Sequence, residues 1–201
     1  MIQGSFNRRF IFAVSMLVMS AYGCDRLKVQ DTLSGHEYLL KNQHDADIHF
    51  PSDFEGKVML VGYVYTHCPD ICPLITFNMR DIQHELEDEG NLLFVSVSFD
   101  PDRDTPEVLS DYASNFRLNQ DNWQLLTGNK TVVESLLSKL NIGTVKTPTR
   151  FTDSGTPIYF IDHTDRVTLI DGEGQIRNHY SGSELDKNEV VNDIRRLLKG
   201  S

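Results

Sequence analysis

At 201 residues, 39% hydrophobic and 24% charged, the chain is sized for one globular domain with short extensions and is neither low-complexity nor disordered in composition. A formal net charge of −10 excludes a nucleic-acid surface, because phosphate binding needs a basic face. It favours a cationic partner, either a metal ion or a basic protein patch.

The chain opens on an export signal. Arg8 and Arg9 precede an apolar run over residues 10–19, which gives way to Ser20-Ala21-Tyr22-Gly23-Cys24. The run is too short for a membrane span, which needs about 20 residues. Because it ends at a cysteine it resembles a bacterial lipoprotein signal, with residues 1–23 removed and Cys24 the lipidated first residue. An ordinary secretory signal and an uncleaved anchor are the alternatives, and all three place the domain outside the cytoplasm. Asp25 resembles the inner-membrane retention signal of Gram-negative lipoproteins. Residues 24–35 are polar without a clear period and are expected to be a tether, with the folded domain over 36–201.

Within that domain, residues 37–41 and 47–50 flank a polar stretch and predict a hairpin. Residues 51–57 are expected to form a turn or one short helical turn. Residues 58–65 are almost continuously apolar and predict a central strand. A cysteine-bearing turn follows, then a helix over 73–88 with Leu74, Phe77, Ile82 and Leu86 on its apolar face. A second buried strand covers 92–99. The charged loop Asp100-Pro101-Asp102-Arg103-Asp104 leads to Thr105 as N-cap and Pro106 at the first helical position of the next helix. Residues 122–128 hold a short strand, 130–140 a helix and 141–157 a long loop. Strands are expected at 158–161 and 167–170, separated by a loop that contains His163. A tight turn at 171–174 leads into a strand at 175–180, and a helix over 184–198 closes the chain. Alternating strands and helices, then a hairpin and a helix, give an α/β three-layer sandwich with a central mixed sheet and an N-terminal hairpin. The cysteine pair at the end of its first central strand makes it thioredoxin-like in arrangement.

If Cys24 carries lipid, Cys68 and Cys72 are the only other cysteines. A bridge between them would close a very small loop and constrain the unfolded chain little, which argues against a purely structural disulfide. Four residues apart at a strand-to-helix junction, their sulfurs can share one face, and the positive end of the helix dipole favours a thiolate. The pair could close a redox disulfide or hold a soft ion such as Cu(I). Of the histidines, His36, His44 and His49 lie in the polar N-terminal part and His84 on a solvent face. His67 directly precedes Cys68 and should point away from the pair. Periodicity does not choose between His163 and His179 as a third ligand.

The stretch Tyr65-Thr66-His67-Cys68-Pro69-Asp70-Ile71-Cys72-Pro73 resembles the signature of the Sco/SenC family of copper proteins. So do Ser98-Phe99-Asp100-Pro101-Asp102-Arg103-Asp104-Thr105-Pro106, Trp123-Gln124-Leu125-Leu126-Thr127-Gly128 and Asp162-His163-Thr164, followed by the turn Asp171-Gly172-Glu173-Gly174. The resemblance runs in order over residues 37–198. It implies a thioredoxin-like fold and copper, as Cu(I) and Cu(II), held by Cys68, Cys72 and His163. It also implies service to the binuclear copper site of cytochrome c oxidase, by delivering copper or by reducing that site's cysteines. The partners it suggests are the copper-site subunit of the oxidase and possible exchange with another periplasmic copper carrier. Cys68 is expected to attack a partner disulfide and Cys72 to resolve it. Asp100 and Asp104 are read as supporting or docking groups beside the site, or else as helix capping and a solvated loop. Asp162 is read as orienting the imidazole, or as a turn former. Trp123 and Phe99 are expected in the core. Two other functional classes use the same cysteines, an extracytoplasmic thiol-disulfide oxidoreductase and a redox or copper sensor. Two thiolates and an imidazole could also bind Zn²⁺.

Overall fold

The protein is described by a computed structural model over residues 27–155 and 157–199, so the segment expected to be an export signal and Cys24 lie outside the described residues. Along the chain, β1 (Asp31–Thr32) precedes a hairpin of β2 (Tyr38–Asn42) and β3 (Asp47–Phe50). Then come β4 (Val58–Val64), α1 (Ile71–Glu85), β5 (Leu92–Ser98), α2 (Pro106–Phe116), β6 (Trp123–Thr127) and α3 (Lys130–Lys139). Four short strands follow: β7 (Thr144–Lys146), β8 (Arg150–Phe151), β9 (Pro157–Ile158) and β10 (Ile161–His163). The chain finishes with β11 (Val167–Ile170), β12 (Gln175–Tyr180) and α4 (Lys187–Lys199).

One mixed sheet organises the molecule, in the order β1-β12-β11-β4-β5-β6-β2-β3. Every residue of β4 and β5 is buried, which is why these two strands read as unbroken apolar runs. They are parallel, with Val64 level with Ser98. Successive right-handed crossovers place α1 and α2 on the same face. α1 lies so close over Gly62 that a Cβ there would come within 2.5 Å of Met79 Sδ. Tyr112 of α2 meets Thr76 of α1 at 2.6 Å, and Lys187 at the start of α4 pairs with Asp81 of α1 at 2.6 Å. α3 covers the opposite face, where Val133 and Leu137 approach Phe99. The result is the expected three-layer α/β sandwich, with the hairpin β2–β3 joined to the sheet through β6.

Several local expectations are corrected. α1 begins at Ile71, not Pro73: a proline is tolerated in a first turn, whose N–H groups have no intrahelical acceptor. Its buried stripe is Cys72, Ile75, Met79, Ile82 and Leu86. Leu74 and Phe77 are 47% and 43% exposed, and Phe77 instead packs on Phe116 and under Arg80 at the edge of α2. The long loop over 141–157 contains β7 and β8, and the strand expected over 158–161 is divided between β9 and β10. β7 pairs with β10 and β8 with β9, forming two ribbons outside the main sheet. His163 therefore ends a strand.

The tether is also shorter than expected. Within residues 24–35, Asp31–Thr32 adds β1 to the edge of β12 and Leu33 is wholly buried. Leu33 donates its N–H to Gly174 O at 2.8 Å, and Arg177 reaches Leu27 O at 2.7 Å. Polar residues hid this edge strand, because a two-residue strand shows no period. Leu33→Ala should lower the unfolding free energy by about 2–5 kcal/mol, as for other buried leucines. Urea denaturation checks this, and a change below about 0.5 kcal/mol, the surface range, would restore the tether reading.

Candidate metal centre

β4 delivers the chain to the C-terminal edge of the sheet, and residues 65–70 turn there before α1 starts. Cys68 N–H donates to Tyr65 O at 3.2 Å, closing the turn. Cys72, the second residue of α1, is fully buried, and Cys68 is partly exposed at the helix mouth. The Cys72 backbone N–H points at Cys68 Sγ at 3.4 Å. β10 brings His163 in from 91 residues along the chain, with Nε2 3.6 Å from Cys72 Sγ. Both sulfurs and a ring nitrogen of His163 lie within 4.8 Å of one another. Donors at bond lengths of about 2.0–2.3 Å around one metal sit about 4 Å apart, so this cluster needs only a small inward adjustment to close on an ion.

The two cysteines differ in charge. Cys68 is lowered to about 5, chiefly by the hydrogen bond from the Cys72 thiol, with the N–H groups of Cys72 and Asp70 and the His163 ring adding to it against the cost of burial. Cys72 is raised far above the ordinary thiol range, because its proton is held in the bond to Cys68 and because it is buried. At neutral pH the pair is a thiolate beside a thiol, and both are free of disulfide.

Two buried carboxylates brace the segments that carry these side chains. Asp104 is wholly buried; it accepts from Ser98 Oγ at 2.6 Å, Thr66 Oγ1 at 2.6 Å and Thr66 N at 3.1 Å. It thereby fixes the cysteine turn to the end of β5 and the start of α2. Burial raises its pKa against those hydrogen bonds. Asp100, 3% exposed, accepts from Tyr159 Oη at 2.8 Å and from Arg103 Nε. Arg103 in turn stacks on the Tyr159 ring at 3.6 Å and donates to Tyr159 O at 3.3 Å. Tyr159 leads into β10, so Asp100 braces the histidine side. Both aspartates are buried, so neither presents its carboxylate at the surface. Thr105 and Pro106 cap α2 as expected.

Asp162 does not orient the imidazole: it is exposed, and His163 Nδ1 meets Thr164 O at 3.0 Å instead. His179 is engaged elsewhere, 3.2 Å from Thr168 Oγ1, and the His67 ring meets Thr66 Oγ1 at 3.0 Å. The expected core role of Trp123 holds, with Nε1 donating to Ser96 Oγ at 3.0 Å. Phe99 does more than fill the core. Its ring packs on the His163 ring at 4.6 Å and on Tyr65 at 5.1 Å. Tyr65 accepts from Ile161 N at 3.2 Å, tying β10 to the end of β4. Neither aromatic stood out as a support in the sequence. The available signal was their position, each just past the C-terminal end of a central strand, the edge where sites form in such sheets.

A family model described as SCO1/SenC matches residues 28–199. The chain belongs to the SCO1/SenC family. The SCO1 protein homolog of Bacillus subtilis (strain 168) is 27% identical over 182 residues, 89% of this chain and 90% of the relative. Among solved structures, a SCO1/SenC family lipoprotein from Bacillus anthracis superposes with a TM-score of 0.70 at 27% identity, covering 85% of this chain and 97% of that one. Bradyrhizobium japonicum ScoI with copper bound superposes with a TM-score of 0.69 at 25% identity, covering 82% and 98%. The residues matched by the family model include both ribbons.

The asymmetry of the pair has a measurable sign. Alkylation of Cys68 in the reduced, metal-free protein should be flat between pH 6 and 8 and fall as pH drops through about 5, where the thiolate is lost. Cys72→Ala removes the largest stabilising hydrogen bond and should move that midpoint upward. A wild-type midpoint in the ordinary thiol range, about 8.5, would contradict the geometry.

Proposed function

We propose that this chain is an extracytoplasmic copper chaperone that holds copper through Cys68, Cys72 and His163 and serves the binuclear copper site of cytochrome c oxidase. One observation carries the reading: two sulfurs and an imidazole from segments 91 residues apart converge within 4.8 Å. Soft thiolates favour Cu(I), and an added imidazole lets the same set accept Cu(II). The copper-bound ScoI relative supports the choice of metal. Copper here is cargo, so three donors suit it better than a closed cage: an incoming thiolate can join the coordination before an original ligand leaves.

The partner in this reading is the copper-site subunit of the oxidase, with exchange from another periplasmic copper carrier. Anchoring through Cys24 would keep the domain at the inner membrane, and the Bacillus anthracis lipoprotein lends support. Among the described residues no helix is long and apolar enough to cross a membrane.

A thiol-disulfide role for the same pair is favoured by the ionised Cys68 beside the protonated Cys72. Cys68 is the more exposed sulfur and suits attack on a partner disulfide, with Cys72 resolving the mixed disulfide.

Anaerobic Cu(I) titration tests the reading. The wild-type protein should bind one Cu(I) tightly. Cys68→Ala, Cys72→Ala and His163→Ala should each weaken binding by more than the roughly 10–100-fold that loss of a supporting group costs. Binding indifferent to His163 would leave the pair as a redox centre alone.

A further inference from the structure

A recess of about 270 Å³ opens beside the cysteine–histidine cluster, between the cysteine turn and the ribbon strand β10. Its outer wall alternates as an extended chain does. Tyr159 and Ile161 point inward and are 5% and 9% exposed, whereas Ile158 and Phe160 point outward and are 45% and 47% exposed. Asp162 continues the outward row. Val145 pairs with Asp162 across β7–β10, so it projects from the same ribbon face, 68% exposed. Isolated apolar residues are ordinary on a surface. Two in one row and a third on the neighbouring strand, with Phe160 lining the recess, form a patch, and patches mark contact surfaces.

Across the recess stands Asp70, the residue before α1. Aspartate at that position ordinarily caps the helix, yet its side chain makes no capping bond. Neither Asp70 nor Asp162 has a side-chain hydrogen bond or ion pair among the described residues. Phe160 therefore sits at a recess flanked by two uncompensated carboxylates, next to Cys68.

We propose that Val145, Ile158 and Phe160, bounded by Asp70 and Asp162, form the docking surface for a thiol-bearing segment of the copper acceptor, one that carries an apolar side chain and a Lys or Arg beside its cysteines. This rests on the copper-transfer reading above. Charge selects the occupant. A second copy would bring like carboxylates together on a chain of net charge −10. A bilayer would have to accept the same carboxylates at its surface. A cationic segment instead meets Asp70 and Asp162, seats its apolar side chain against Phe160 and brings its sulfur to Cys68. Cu(I) then passes without change of oxidation state: the acceptor's sulfurs replace Cys68, Cys72 and His163 as ligands, and of the protons leaving the acceptor's thiols one returns to the vacated Cys72 while the rest pass to water.

Stopped-flow transfer of Cu(I) from the full chain in detergent to the reduced copper-site domain of the oxidase subunit tests this. Phe160→Ser, and separately Val145→Ser, should leave Cu(I) affinity within about twofold and slow second-order transfer, about tenfold for Phe160→Ser, as for loss of a central contact residue. Wild-type transfer should slow between about 0.05 and 0.5 M salt, over which screening becomes strong. Asp70→Asn combined with Asp162→Asn should flatten that dependence. Unchanged transfer in the Phe160 and Val145 variants with Cu(I) binding intact overturns the docking surface and leaves the copper reading standing. Absence of transfer from a wild-type protein that binds Cu(I) overturns delivery to the oxidase, and this surface with it. A wild-type dimer abolished by Phe160→Ser would assign the face to a second copy. Binding to phosphatidylglycerol vesicles that survives Cys24→Ser but not Phe160→Ser would assign it to lipid. Either result overturns the proposal.

Discussion

The carboxylate of Asp104 has no exposed surface and accepts from Ser98 and Thr66 at once. That arrangement joins three things that the sequence separates: the end of one parallel strand, the turn after its neighbour and the start of α2. Removing a buried acceptor of this kind strands its donors without water, at roughly 1–3 kcal/mol per unsatisfied group. The cysteine turn therefore does not wander. Its geometry is set by a β4–β5 register that holds Val64 beside Ser98, and by a carboxylate that closes the corner between them.

The histidine side is built by a different logic. β10 lies outside the main sheet and, among the described residues, is paired only with β7. It reaches the cysteines through side-chain attachments: the Tyr65 hydroxyl on Ile161 N, the Phe99 ring under the imidazole, and the Asp100–Arg103–Tyr159 unit just upstream. Each attachment runs to the C-terminal edge of β4 or β5, so both halves of the site refer to the same two strands. This explains why, among the described residues, the Asp100 to Asp104 loop makes no hydrogen bond to Cys68, Cys72 or His163 and yet sits at the centre of the arrangement.

What could be read in advance follows from how each feature is encoded. β4 and β5 are continuous apolar runs, and Thr105–Pro106 is a local cap, so the sheet core and α2 were legible. The ribbons were not. Residues 144–151 are exposed apart from partial burial of Thr147, and short pairs without a buried face leave no period in the sequence. The same holds for β1. The apolar face of α1 was misplaced because Leu74 and Phe77 are large and apolar, while the true stripe includes Cys72, which sequence reading reserved for chemistry. The cysteines themselves were legible as a pair from their turn. The third donor was not, because convergence across 91 residues is a property of topology, and resemblance to the family alone singled out His163. Phe99 and Tyr65 were missed for a related reason: an aromatic that is buried and also supports a ligand looks in sequence like any core residue.

The placement of His163 bears on which chemistry the site serves. Thiol-disulfide exchange requires an ionised attacking sulfur and a second thiol beside it to resolve the mixed disulfide, and at the mouth of α1 the bond from Cys72 to Cys68 is the chief cause of the first and holds the second in place, with the His163 ring adding less. A fold serving exchange alone would have no reason to build a ribbon outside its sheet, stack a phenylalanine on its histidine and bury an aspartate against a half-buried arginine upstream of it. Conversely, a tight closed metal cage would bury both sulfurs, and Cys68 is left partly exposed beside an open recess. One buried sulfur, one accessible sulfur and an imidazole held on a separately attached strand suit an ion that must be held firmly and still be given up. The same exposure of Cys68 that opens a path for an incoming ligand also keeps thiol chemistry available to the metal-free protein.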